Sequence, residues 1–160
     1  MERLFSLYFH FVGVGLLVTG IVAGSILNIQ YKRAKDLQAK AIILRAIKPI
    51  GLISPFALLL MLVTGIGNMH SLGYTVLALP GWLAYKIILF VLAVVSGILF
   101  GILARKRGAL IGQMAAGCAP PDADATLKGY DNQMFLSYLV LTILFLVILS
   151  LSIIARLGIQ

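Results

Sequence analysis

Charge is scarce in this chain of 160 residues, and acid is scarcer than base. Thirteen lysines and arginines stand against five aspartates and glutamates, and only 11% of the residues are charged while 61% are hydrophobic. So little polar surface cannot cover a core in water, which excludes a soluble globular fold. The same hydrophobicity excludes a disordered chain. There is one cysteine, Cys118. That excludes an internal disulfide, and it excludes iron–sulfur and thiolate-zinc sites, which need several such ligands. No acid falls between Asp36 and Asp122, so no run in that stretch supplies the carboxylate on which ion-coupled carriers rely. Met61 and Met69 are isolated rather than members of a methionine series, which argues against copper import.

What the chain has instead is length without charge. A helix needs roughly 20 apolar residues to cross ~30 Å of hydrocarbon. Leu4 to Tyr31 is a run of 28 residues with no formal charge, and Asn132 to Ala155 is another of 24. Between them Pro49 to Tyr85 is uncharged for 37 residues and carries turn signals at Gly73 and Pro80-Gly81. These divide it into a second span and the start of a third, which continues to Ala104 with Lys86 as its one charge. The sequence therefore predicts an all-α, integral membrane four-helix bundle in a single domain over residues 1–160. The spans fall at about 4–30, 50–70, 81–104 and 132–156. None shows the alternation of a membrane barrel strand. The first is too long for a signal-peptide core and is read as a retained anchor.

Basic residues set the expected orientation. Ten of the 13 lie in two segments, six between Lys32 and Lys48 and four between Arg105 and Lys128. The opposite side has Arg3 and Arg156. Both termini are expected outside and both basic segments in the cytoplasm, as in a multi-pass protein of a bacterial inner (plasma) membrane. The excess of base is then topological, and no nucleic-acid partner is needed to explain it. The first basic segment carries Leu37, Ala41, Leu44 and Ile47 at helical spacing, which predicts a short amphipathic helix lying in the interface. The second, from Arg105 to Asp131, contains Cys118-Ala-Pro-Pro-Asp-Ala-Asp and is expected to be irregular. Gly20 with Gly24, and Gly97 with Gly101, are pairs of the small-xxx-small kind that let helices approach closely.

Ionisable groups inside a membrane are costly and point to function. The spans offer His10, His70 and Lys86. At ~1.5 Å per residue, His10 lies ~10 Å below the outer boundary and Lys86 ~8 Å below it, with His70 near the outer end of the second span. Three groups from three helices converge on one leaflet. A neutral imidazole is a common axial ligand of haem b, so His10 and His70 are candidate cofactor- and metal-binding residues. Lys86 is the candidate catalytic residue, placed to pair with a carboxylate or to move a proton. Each has a plainer alternative. His10 can form a hydrogen bond between helices, His70 can be a wetted surface residue, and Lys86 can extend to the headgroups.

Three stretches of this kind resemble the oxygen-independent membrane protoporphyrinogen oxidases of the HemJ type and their CopD-like relatives. Tyr8-Phe-His10-Phe-Val-Gly13 is similar to that family's first span, which carries an essential histidine. Ser54-Pro55 followed by an apolar run to Thr64-Gly65-Ile66-Gly67 resembles the second span, and Gly81-Trp82-Leu83-Ala84-Tyr85-Lys86 the start of the third. The resemblance covers about residues 5–100. It implies haem b held partly by His10, Lys86 in the active site, and removal of six electrons and six protons from protoporphyrinogen IX with quinone as acceptor. One departure is the run from Thr19 to Ser25, which lacks the arginine-containing stretch of the family's first span. The function of another class that the sequence also allows is a non-catalytic accessory or assembly subunit. Such a subunit would sit in a homo-oligomer or in a larger respiratory or photosynthetic membrane complex.

Overall fold

The structure, a computed structural model, describes residues 2–75 and 78–156. It consists of four helices, α1 (Glu2–Arg33), α2 (Leu37–Ser71), α3 (Gly81–Ala115) and α4 (Ala123–Arg156). All four are long and apolar enough to cross a membrane, and the chain is a four-helix membrane bundle. Each expected span falls within one helix. The side chains of Arg3 and Arg156, which enter the orientation argument, lie outside the described residues. α1 packs mainly on α2 and α3 mainly on α4, and the two pairs meet through α2–α3 and more sparsely through α1–α4.

The helix ends follow local chemistry. Asp36 begins α2 as its cap, with the backbone N–H of Ala39 donating to Asp36 Oδ1 at 2.6 Å. α2 and α3 end alike. Gly73 (φ +76°) and Gly117 (φ +73°) take the left-handed conformation that glycine adopts most readily. The N–H of Tyr74 then closes on the carbonyl of Met69, and that of Cys118 on Gln113.

Two expectations about the basic end are corrected. The amphipathic stretch after Ala34 is not a separate interfacial helix. It is the first third of α2, which continues through Pro49 and Pro55. Nor is the Arg105–Asp131 segment mostly irregular. α3 runs on to Ala115 and α4 starts at Ala123, leaving only residues 116–122 as connection. The physical reason is the same for both. Helices of 32 to 35 residues measure roughly 48–53 Å, against ~30 Å of hydrocarbon. The uncharged runs place the surplus at the basic end, in water, where apolar side chains gain by burial. There Tyr31, Leu110, Ile111, Ala123 and Leu127 form a buried core, and Leu37, Ala41 and Leu44 pack against it. The apolar stripe thus finds a protein partner in place of the interface. Along the membrane-spanning lengths the pattern inverts, and large apolar side chains such as Leu59, Ile98 and Ile143 are exposed, because lipid gives them no reason to turn inward.

The small-residue pairs are also sorted by the fold. Gly20 and Gly24 do not serve one contact. A side chain at Gly20 would meet Ser54 of α2, and one at Gly24 would meet the Tyr138 hydroxyl of α4. At Gly97 or Gly101 it would meet nothing within 4 Å.

Candidate functional site

Ser6, His10 and Gly13 recur at spacings of four and three and therefore share one face of α1. That face meets Ala57, Met61 and Thr64 of α2. At Gly13 the backbones come closest. A Cβ there would lie 2.8 Å from Met61 Cγ and 3.3 Å from the Ala57 carbonyl oxygen. One turn along α1, His10 is half-buried and its Nδ1 lies 2.9 Å from Thr64 Oγ1. Ser6 Oγ donates to the Thr64 carbonyl at 3.1 Å.

A threonine hydroxyl has one proton. Thr64 Oγ1 donates it within its own helix to the Leu60 carbonyl, at 2.6 Å. With its proton so used the oxygen is an acceptor toward His10, which matches the tautomer that carries the imidazole proton on Nδ1. In the neutral ring Nε2 then keeps a free lone pair. An imidazole whose far nitrogen is fixed by a hydrogen bond is the form in which histidine binds metals.

Lys86 lies in the second turn of α3 and is half-buried. Its helix packs against α2, which carries Thr64. His70 is placed differently. It is exposed, in the last turn of α2. Six residues beyond Thr64, it stands ~9 Å further along the axis and is turned about 120° around it.

The donor set bears on what could be held here. Among the described residues no group of three or more His, Cys, Asp or Glu side chains could hold a metal ion. A porphyrin brings four nitrogen ligands of its own and asks the protein for axial ligands only. A single imidazole is a donor set of that kind, and it is too few ligands for a bare metal ion.

The opposite end of the bundle holds a constellation that sequence reading missed. Arg107 is fully buried. Its Nη1 donates to Asn28 Oδ1 at 2.8 Å and to Asp131 Oδ1 at 3.3 Å, and its guanidinium carbon lies 4.3 Å from the centre of the Tyr31 ring. The set ties α1, α3 and α4 together. Arg107 Nε and Tyr31 Oη are buried with no hydrogen bond among the described residues. The available signals were Asn28, a polar residue late in an apolar run, and Asp131, the acid just before the last span. Comparison of the chain with family models, with curated proteins and with solved structures gives no match.

Proposed function

We propose that this chain is a haem b-binding redox protein of a membrane, with His10 as an axial ligand and Lys86 as the residue that meets an acidic substrate group. The observation that supports this most is the chain of hydrogen bonds from His10 through Thr64 to the Leu60 carbonyl. It suits the tautomer with the proton on Nδ1 and holds the ring by that nitrogen. His70, exposed and turned away from Thr64, is the weaker candidate for a second ligand.

Bound haem would supply one-electron chemistry at the iron. The chain's own contribution lies in the groups around it. His10 Nε2 presents the lone pair, and Thr64 holds the ring in place. Lys86 supplies a positive charge in a low-dielectric setting, where it pairs strongly with a carboxylate such as a porphyrin propionate. In its neutral form it accepts a proton. The reaction that uses all three features is oxidation of protoporphyrinogen IX to protoporphyrin IX, with six electrons and six protons leaving the substrate and three quinones taking them up as three quinols. A bacterial inner membrane, with both termini outside, is the setting in which the distribution of basic residues is most natural.

An absorption spectrum of the chain purified in mild detergent tests the reading. A Soret band in the wild type that is lost in His10→Ala supports it. Colourless protein, or a band that survives His10→Ala, overturns it. The first of those outcomes favours the accessory-subunit reading.

A further inference from the structure

α3 and α4 are separated at the membrane boundary of the basic end by a cleft of about 360 Å³. Its walls are two stripes, one from each helix. Lys106, Leu103 and Leu99 recur at three and four residues on α3, and Tyr130, Gln133 and Ser137 do so on α4, with Leu136 beside them. The uncharged parts of these helices end at Ala104 and begin at Asn132. Lys106, Tyr130 and Gln133 therefore stand at headgroup level, while Leu99 lies ~10 Å deeper than Lys106. The cleft has a polar, cationic mouth and an apolar floor that descends into the hydrocarbon.

The charge at the mouth is available. Arg107 is occupied by Asn28 and Asp131, and Arg105 Nε donates to the Gly101 carbonyl. Lys106 makes no ion pair or hydrogen bond among the described residues. Asp131 is engaged by Arg107, and Asp122 faces elsewhere. It lines a second cleft that opens from Lys106 and Tyr130 away from the membrane, and it accepts from Thr126 Oγ1 at 3.1 Å. The whole end is basic, with ten of the chain's 13 bases and four of its five acids.

We propose that the membrane-side cleft between α3 and α4 binds one anionic phospholipid of the adjoining leaflet. Its phosphate lies against Lys106 and one acyl chain along Leu99, Leu103 and Leu136. A soluble anion would have no use for the apolar floor, and a neutral lipid would have no use for the lysine. Basic residues beside a membrane helix attract anionic lipid in this way, and tyrosine belongs at that depth.

Native mass spectrometry of the full chain in detergent, with phosphatidylglycerol or phosphatidylcholine added at equal concentration, tests the site. One retained phosphatidylglycerol is expected, bound about fivefold tighter than phosphatidylcholine, the scale of a single lysine at a membrane surface. Lys106→Gln should erase that preference. Leu103→Trp, which fills the floor, should weaken both lipids, and Lys128→Gln, exposed outside the cleft, should leave the preference intact. Lys106→Gln changes a surface side chain and decides the matter even where Leu103→Trp fails to fold. A preference that survives Lys106→Gln overturns the proposal. So does one lost equally in Lys128→Gln, or glycerol phosphate binding as tightly as the lipid.

Discussion

His10 Nδ1 and Thr64 Oγ1 lie in hydrogen-bond contact across 2.9 Å, and the Thr64 hydroxyl donates within its own helix to the Leu60 carbonyl. Two helices that share no local sequence thus hold one histidine ring by one of its nitrogens. Thr64→Val keeps the shape and removes the oxygen. If His10 ligates haem, this variant should hold haem about tenfold more weakly than the wild type, the lower end of what such supporting bonds contribute. Thr64→Ser, which restores the oxygen, should recover most of the loss. Titration of the apoprotein with haem, followed at the Soret band, measures both. Equal affinity in all three proteins would remove Thr64 from any role in cofactor binding.

His70 and Lys86 separate ligand from substrate contact. His70 is exposed and about 120° around α2 from Thr64, so His70→Ala is expected to leave a haem spectrum unchanged. Lys86→Met should leave the spectrum in place and abolish oxidation of an added porphyrinogen, followed by porphyrin fluorescence. Loss of the band in His70→Ala would make it a ligand after all. Persistent turnover in Lys86→Met would make that residue a headgroup anchor.

Much of this fold could be read from hydropathy, because uncharged runs of more than 20 residues have few alternatives in lipid. The helix ends could not. Whether Arg105–Ala115 and Leu37–Lys48 extend their helices depends on Leu37, Ala41 and Leu44 packing against a core that includes Leu110 and Ile111, and that core links distant parts of the chain. Arg107 was hidden for a related reason. Counting Arg105, Lys106 and Arg107 as one basic group treats them as equivalent. At 100° per residue they point three ways, and one of them turns into the bundle. His10 and Lys86 were visible as ionisable residues in apolar runs, but the partnership with Thr64 depends on the register between α1 and α2. Thr64 carried no signal of its own beyond lying in a stretch already singled out.

Gly13 holds that register. A methyl group there would press on Met61 Cγ at 2.8 Å and on the Ala57 carbonyl oxygen at 3.3 Å. Methionine is flexible and can move, but the carbonyl belongs to the helix backbone. Gly13→Ala should therefore destabilise the bundle by about 1–3 kcal/mol, the usual range for overpacking a tight contact. Gly13→Val should do more and should also part His10 from Thr64. Adding Met61→Ala to Gly13→Ala should recover a fraction of the loss and not all of it. Thermal unfolding in detergent by circular dichroism ranks the variants. Full recovery in the double variant would show that the methionine alone sets the spacing.

The buried Arg107 set gives the largest expected effect on stability. Its guanidinium is shared between Asn28 and Asp131 and stacked on Tyr31 with no exposure to solvent. Removing one member of a buried ion pair leaves the other charged group in low dielectric without its partner. Such losses are about 3–5 kcal/mol. Asp131→Leu should therefore be severely destabilising, because Arg107 would keep its charge with only Asn28 to bond. Arg107→Met alone should be milder, because Asp131 is only partly buried and can take up water in exchange. The pair replaced together, Arg107→Met with Asp131→Leu, should be more stable than Asp131→Leu alone, since no stranded cation remains. That ordering distinguishes electrostatic stranding from a cavity effect. A cavity would make the double variant the least stable of the three. Unfolding midpoints measured in one detergent decide between them.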